Sequence, residues 1–200
     1  SNNQCECEDC QEKRPSDYYI ELLNEIDRKL TAKGITTRIV FLIYVDLLWR
    51  PETERLHNPD RFALMFAPIT RSYSMPFAAG ENGSSLPYER NHLQFPKNAG
   101  ENLAYLEEWQ ETFHGDSFDF DYHYMWDHYI DFGYYGVAET LYEDIRNFER
   151  LGLNGLVSCQ VQRAFFPTAL GMQVMAQTLW NKEFSFASEA DCALRAEFGS

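Results

Sequence analysis

Short apolar runs alternate along this chain with longer stretches of helical periodicity, and that alternation limits the folds open to it. The run Ile35 to Asp46, ITTRIVFLIYVD, is continuous in β-branched and aromatic residues, as a strand buried on both faces requires. It is expected to be a central strand of a parallel sheet, with Tyr44 and Asp46 sharing a face at its end. Phe62 to Ala67, closed by Pro68, reads as a second strand. Phe118 to Tyr129, FDFDYHYMWDHY, is the third strand with its exit loop, and Leu153 to Val161 is the fourth, leaving through Gln160, Gln162 and Arg163. Ser16, after Pro15, opens a helix whose apolar stripe is Tyr19, Ile20, Leu22, Leu23, Ile26 and Leu30, ended by Lys33-Gly34. Further helices are expected over Asn102 to His114, Glu139 to Leu151, Thr168 to Trp180 and Ser188 to Phe198. Ile69 to Asn98 has no such period. Irregular segments of that length in compact domains are usually functional.

Strand and helix in alternation give a parallel sheet with helices outside it. No Gly-rich phosphate loop follows any of the four strands, which disfavours a nucleotide-binding doubly wound sheet. No Gly-x-Ser-x-Gly elbow is present either, which argues against an α/β-hydrolase. The expected fold is therefore α/β, the C-terminal half of a TIM-type (β/α)8 barrel, with about four parallel strands and flanking helices. A whole barrel takes about 250 residues, so residues 1–200 read as a single domain cut from a longer protein. Half a barrel leaves open sheet edges and an uncovered core face, so the fragment is expected to self-associate or to have rearranged.

The net charge of −14 leaves no basic footprint for phosphates, which argues against nucleic acid and against an anionic membrane surface. No stretch approaches the roughly 18 apolar residues of a membrane span. Five cysteines, three of them in Cys5-x-Cys7-x-x-Cys10, are not a disulfide framework. Three thiolates so close suit a structural zinc, which usually takes four ligands. His57, His92, Cys159 or a residue beyond the ends are the candidates for the fourth; a terminal Cys–Cys bridge and free thiols are the alternatives. No other cofactor is required.

FDFDYHYMWDHY mixes flat rings with acid and imidazole, the combination a pocket needs to stack on a polar ring and move protons. Sugars are such ligands. Barrel chemistry sits at the C-terminal ends of strands. Those ends carry Tyr44 and Asp46, Arg71 and Tyr73, Tyr124 to His128, and Gln160 to Arg163. Glycoside hydrolysis normally uses two carboxylates, and Asp46 with Asp127 is the candidate pair, His128 an auxiliary acid or base. Tyr124 and Trp126 suit a stacking floor, and Arg71 and Arg163 suit the carboxylate of an acidic sugar. Loop caps, ion pairs with the surplus acids, and core packing are the plainer roles for the same residues. If the face of Phe118, Phe120, Tyr122, Tyr124 and Trp126 packs under the helices, alternation points Asp119, Asp121, His123, Met125 and Asp127 into the barrel.

Several ordered motifs carry a resemblance. They are Cys5-x-Cys7-x-x-Cys10 with Pro15-Ser16-Asp17-x-Tyr19, the strand Ile39 to Tyr44, and Phe66-Ala67-Pro68 followed by Arg71. Tyr122-x-Tyr124, Glu143-Asp144-Ile145-Arg146 with Gly152-x-x-Gly155, and Leu179-Trp180-Asn181 complete the set. In these the chain resembles domain-of-unknown-function family 4838, whose members look like glycoside hydrolases related in fold to α-glucuronidase and hexosaminidase barrels. Trp49-Arg50-Pro51 departs from the pattern in the first loop. The resemblance implies a domain acting on or binding a carbohydrate substrate, in a periplasmic or secreted setting (cytoplasmic being the alternative) in polysaccharide-degrading bacteria. It also implies that residues before Ser1 supply the first half of the barrel. A fragment lacking the catalytic acid would be inactive alone. A non-catalytic carbohydrate-binding barrel, or a structural domain around a Cys-rich metal knot, are the alternative readings.

Overall fold

The computed structural model describes residues 2–79, 83–125, 127–161 and 164–199. After a short helix α1 (Glu8–Gln11) comes α2 (Pro15–Ala32). Pro15 occupies a first-turn position where its missing N–H costs nothing. The Asp17 carboxylate accepts the Arg14 N–H at 3.2 Å and the N–H groups of Thr53 and Glu54 at 2.8 and 2.9 Å. The same buried side chain thus caps the helix and ties it to the loop beyond the first strand. Gly34, at φ +70°, closes α2 in the left-handed region that glycine enters freely.

The strands are β1 (Ile39–Ile43), β2 (Phe62–Phe66), β3 (Ser117–Tyr124) and β4 (Leu156–Gln160). They form one all-parallel sheet in the order β1-β2-β3-β4, so each strand lies beside its sequence neighbours. Right-handed crossovers that always advance in one direction put their helices on one face. That is what the packing displays. Phe41, Ile43, Leu64 and Phe66 share a face by register and alternation. They form one core with Ile20 and Leu23 of α2, with Leu103, Leu106 and Trp109 of α3 (Ala99–Gln110), and with Val137, Leu141 and Ile145 of α4 (Tyr135–Asn147). Helices α5 (Leu170–Trp180) and α6 (Phe186–Phe198) build a second cluster on α4 through Ala138, Tyr142, Leu170, Val174 and Phe186. Val40 and Val157 point the other way and are 51% and 45% exposed. The architecture is thus α/β, a four-stranded parallel sheet with its helices on one side.

Several expectations are corrected here. The first strand is shorter than Ile35 to Asp46 and stands at an edge of the sheet, because β2 pairs only with Ile39–Ile43 and no described strand flanks its other side. Val45 has φ +53°, uncommon for a β-branched residue. That breaks the pleat, so Tyr44 and Asp46 are not successive residues of one strand face. The third helix starts at Ala99, because the Asn98 side chain accepts the Glu101 N–H at 2.8 Å. The last helix is capped by Ser185, not Ser188. In β3 the register with β4 shifts between Asp121 and Tyr124, a bulge. Most consequentially, Asp119 and Asp121 pair beside Phe66, Leu156 and Ser158 on the helix-covered face. Phe120 and Tyr122 lie on the opposite face with Leu42, Tyr44, Ala67, Tyr73 and Cys159. Phe120 and Tyr122 thus face away from the helices, and past the bulge Tyr124 returns to the helix-covered core.

Candidate functional site

Beneath the helices β3 delivers two carboxylates and an imidazole to a fully buried cluster. Asp119, Asp121 and His123 have no solvent exposure, and neither has Asp144 of α4. Arg71 reaches them from the loop after β2. Its guanidinium lies 2.9 Å from Asp144 Oδ2, donates to the Met75 carbonyl at 2.6 Å, and stacks 3.8 Å over the Phe77 ring. Asp144 Oδ2 also lies 2.9 Å from His123 Nε2, while Oδ1 accepts the Phe77 N–H at 2.6 Å. On its other side His123 Nδ1 lies 2.9 Å from Asp121 Oδ1, a charge contact and not a well-directed hydrogen bond. Burial by itself would lower the imidazole pKa. The Asp121 charge and the contacts with both carboxylates outweigh it and raise His123 to about 9, so it is an imidazolium at neutral pH. Asp119 has neither oxygen in a hydrogen bond. Burial, then the neighbouring Asp121, push its pKa well above the usual carboxylate range, so it is a neutral acid. Two cations, Arg71 and His123, therefore face Asp121 and Asp144, and the fifth member carries no charge. The cluster is balanced, which is how buried charge is tolerated.

The solvent-facing chemistry lies nearby. A cavity of about 430 Å³ opens at the C-terminal side of β2 and β3. Ser74 and Pro76 line it from the loop after β2, and Asp127, Ile130 and Asp131 from the turn after β3. Gly136, Val137, Glu139, Thr140 and Glu143 line it from α4. Asp131 Oδ2 accepts the Val137 N–H at 2.8 Å, holding the start of α4. Asp127 Oδ2 accepts the Tyr73 N–H at 2.6 Å, which fixes the carboxylate at the cavity wall. Among the described lining residues there is no Lys, Arg or His. Glu139 and Glu143, one helical turn apart, were not among the candidate site residues read from the sequence, although Glu143 opens one of the resemblance motifs; their spacing on an amphipathic helix that follows a strand end was the available signal.

The remaining predicted residues are dispersed. Asp46 lies in a 3₁₀ turn after β1, accepts from Gln4 Nε2 at 3.0 Å, and is not among the cavity's lining residues. Arg71 is engaged by Asp144, and Tyr73 is buried with its hydroxyl donating to the Pro68 carbonyl at 3.1 Å. Tyr44 is half-buried on the open sheet face. Tyr124 is fully buried, its hydroxyl lying where a Cβ on Gly171 would stand, 1.7 Å away. Only a glycine admits it there. His128 is buried among the rings of Tyr124, Tyr129 and Tyr134, and burial lowers its pKa, leaving it neutral. Gln160 is exposed at the end of β4. Trp126 and Arg163 lie outside the described residues.

The Sγ atoms of Cys5, Cys7 and Cys10 lie within 4.8 Å of one another, close enough to bind a metal, and none is in a disulfide. Among the described residues no further His, Cys, Asp or Glu joins the group, so His57, His92 and Cys159 stand apart from it. The Cys7 thiol is held below its usual pKa by the Cys10 backbone N–H and the neighbouring thiols.

No helix among the described residues is long and apolar enough to cross a membrane. Comparison of the chain with protein-family models, with curated proteins and with solved structures finds no match.

Proposed function

We propose that this chain is a glycoside-hydrolase-like domain acting on a carbohydrate, built as the C-terminal half of a TIM-type (β/α)8 barrel of the kind the resemblance to family 4838 implies. The observation that carries the reading is the acid-walled cavity at the C-terminal ends of β2 and β3, the edge of a parallel sheet where barrel chemistry sits. Asp127 is the first carboxylate, oriented by the Tyr73 N–H. Glu139 and Glu143 face the same space and are better placed than Asp46 to supply the second, which glycoside hydrolysis requires. With Arg71 paired to Asp144 and no Lys, Arg or His among the described lining residues, the wall suits a neutral or amine-bearing sugar better than a uronate, and Arg163, the other candidate for a sugar carboxylate, lies outside the described residues. Hydrolysis on a glycan panel tests this. Asp127→Asn is expected to lower turnover by roughly 10²-fold or more while leaving binding within a few-fold. Equal turnover in wild type and variant removes Asp127 from the mechanism.

A second reading, a carbohydrate-binding barrel without catalysis, is favoured by rings at the same edge of the sheet. Tyr129, Phe132, Phe165 and Phe166 are exposed there, Phe132 by 98%. Glycan binding without turnover selects it, and failure to bind any glycan rejects both readings. We further propose that Cys5, Cys7 and Cys10 hold a structural zinc, three thiolates supplying three of its four positions. The periplasmic or secreted setting is likewise proposed on the resemblance alone.

A further inference from the structure

We propose that a thiophilic cation at Cys5, Cys7 and Cys10 acts as a clamp that holds the loop 88–93 and Asp46 in place, an inference that rests on the zinc reading above. The segment carrying the thiols has little else to hold it. Helix α1 is four residues long and contains no buried residue, well below the length at which an isolated helix persists in water. Its order must come from cross-links or from polar contacts to the rest of the chain.

Apart from the Tyr18 hydroxyl on the Asp9 carbonyl and the pairing of Lys13 with Glu21 and Glu54, those contacts converge on one loop. Gln4 and Asn91 are locked reciprocally: the Gln4 N–H donates to Asn91 Oδ1 at 2.6 Å, the Asn91 N–H to Gln4 Oε1 at 3.2 Å, and Asn91 Nδ2 to the Gln4 carbonyl at 3.1 Å. Asn91 holds this pose at φ +59°, a left-handed conformation that asparagine tolerates but does not prefer. Arg90 spans the base of the thiol loop, donating to the Cys5 carbonyl at 3.1 Å and the Lys13 carbonyl at 2.8 Å. The Leu93 N–H donates to Asn2 Oδ1 at 2.9 Å. Gln4 then carries the connection to Asp46, donating from Nε2 to Oδ2 at 3.0 Å. Every one of these partners lies within a few residues of a thiol. A cation drawing Cys5 and Cys7 to Cys10 closes the segment between Cys5 and Lys13, the two carbonyls that Arg90 bridges. The energy of binding a metal to a segment with no buried core of its own appears as added stability of that segment. Here it is passed to the 88–93 loop and to the turn at the end of β1.

Amide hydrogen exchange of the reduced protein, with and without one equivalent of Zn²⁺, tests the clamp, with Co²⁺ thiolate charge-transfer absorption reporting occupancy. The expected result is stoichiometric binding, lost in Cys7→Ser and kept in Cys192→Ser. Exchange at Asn91 and Leu93 should slow by about ten-fold or more on adding zinc. Asn91→Ala should keep the cobalt signal and lose that protection. Stoichiometric zinc binding with unchanged exchange at Asn91 and Leu93 overturns the clamp and leaves the zinc reading standing. No uptake of zinc or cobalt by the fully reduced protein overturns both.

Discussion

Two groups of acids sit within a few residues of one another on the same two elements and have opposite fates. Asp119, Asp121 and Asp144 lie under the helices, and Asp127, Glu139 and Glu143 line an open cavity. Asp144 and Glu143 are adjacent in α4 and point to different sides of it. The buried group is held by Arg71, His123, the Phe77 N–H and protonation of Asp119. The cavity group has few such partners, being tied mainly through the Tyr73 N–H on Asp127. In this domain a carboxylate under the helices, whether on β3 or on α4, is held by counter-charges, and a carboxylate at the cavity wall faces open space.

The sharpest way to break this contrast is Asp144→Ala, which strands the Arg71 guanidinium and the His123 imidazolium without their shared partner. Losing one partner of a buried ion pair costs about 3–5 kcal/mol, and a urea midpoint near wild type would show that the cluster is not structural. The next largest effect is that of pH. Against the lowering effect of burial, the carboxylates of Asp121 and Asp144 push the His123 imidazole up to about 9, compared with about 6.5 for a free histidine. A raised pKa means the native state holds its proton longer than the unfolded chain. The stabilisation is therefore complete below about 6.5 and lost as pH rises through about 9, on the order of 3 kcal/mol in all. Asp119, also raised, adds a penalty in the same alkaline direction, which begins above the unfolded carboxylate range. Denaturation curves between pH 6 and 10 measure the slope, and Asp119→Asn, which fixes the neutral form, should reduce it. A flat profile removes the imidazolium from the account.

A smaller change tests the packing that surrounds the cluster. Gly171→Ala places a methyl against the Tyr124 hydroxyl, and overpacking of that kind costs about 1–3 kcal/mol. Thermal melting of the single variant decides it. Smallest of all should be Glu143→Gln, which leaves stability within about 0.5 kcal/mol, as surface substitutions do, while lowering glycan turnover or binding. A variant that melts early would move Glu143 from the cavity group to the structural one.

Much of the framework was legible in the residues. Phe62 to Ala67 was bounded correctly because Pro68 cannot continue a sheet, and α2 because Pro15, Asp17 and Gly34 mark its ends. The direction of β3 was not. Alternation separates its two faces, but which one lies inward is decided by what the rest of the chain brings to it. Arg71 comes from an irregular loop and Asp144 from a helix further along, so the acids read as pointing into the barrel were met under the helices by counter-charges from a distance. Asp144 left one trace, an acid inside the stripe formed by Leu141, Ile145 and Phe148. The turn at Val45 left none, since its left-handed backbone contradicts the residue's own preference. Of the acids lining the cavity, Asp127 was among the candidates read from the sequence and Glu139 and Glu143 were not, because a cavity wall is assembled from separate elements.

The consecutive strand order also bears on how the domain assembles. Every pairing in the sheet joins segments adjacent in sequence, so the search for partners is local at each step and non-local closure never has to come first. The steps are unequal. β1 and β2 are joined through residues 44–61, which hold two 3₁₀ turns, whereas β2 and β3 are separated by the longer irregular stretch and α3. Closure entropy rises only slowly with length, roughly 0.6 kcal/mol per doubling. The β2–β3 connection is the longest of the three, and Arg71, which lies on it, meets its partner Asp144 only once α4 has docked.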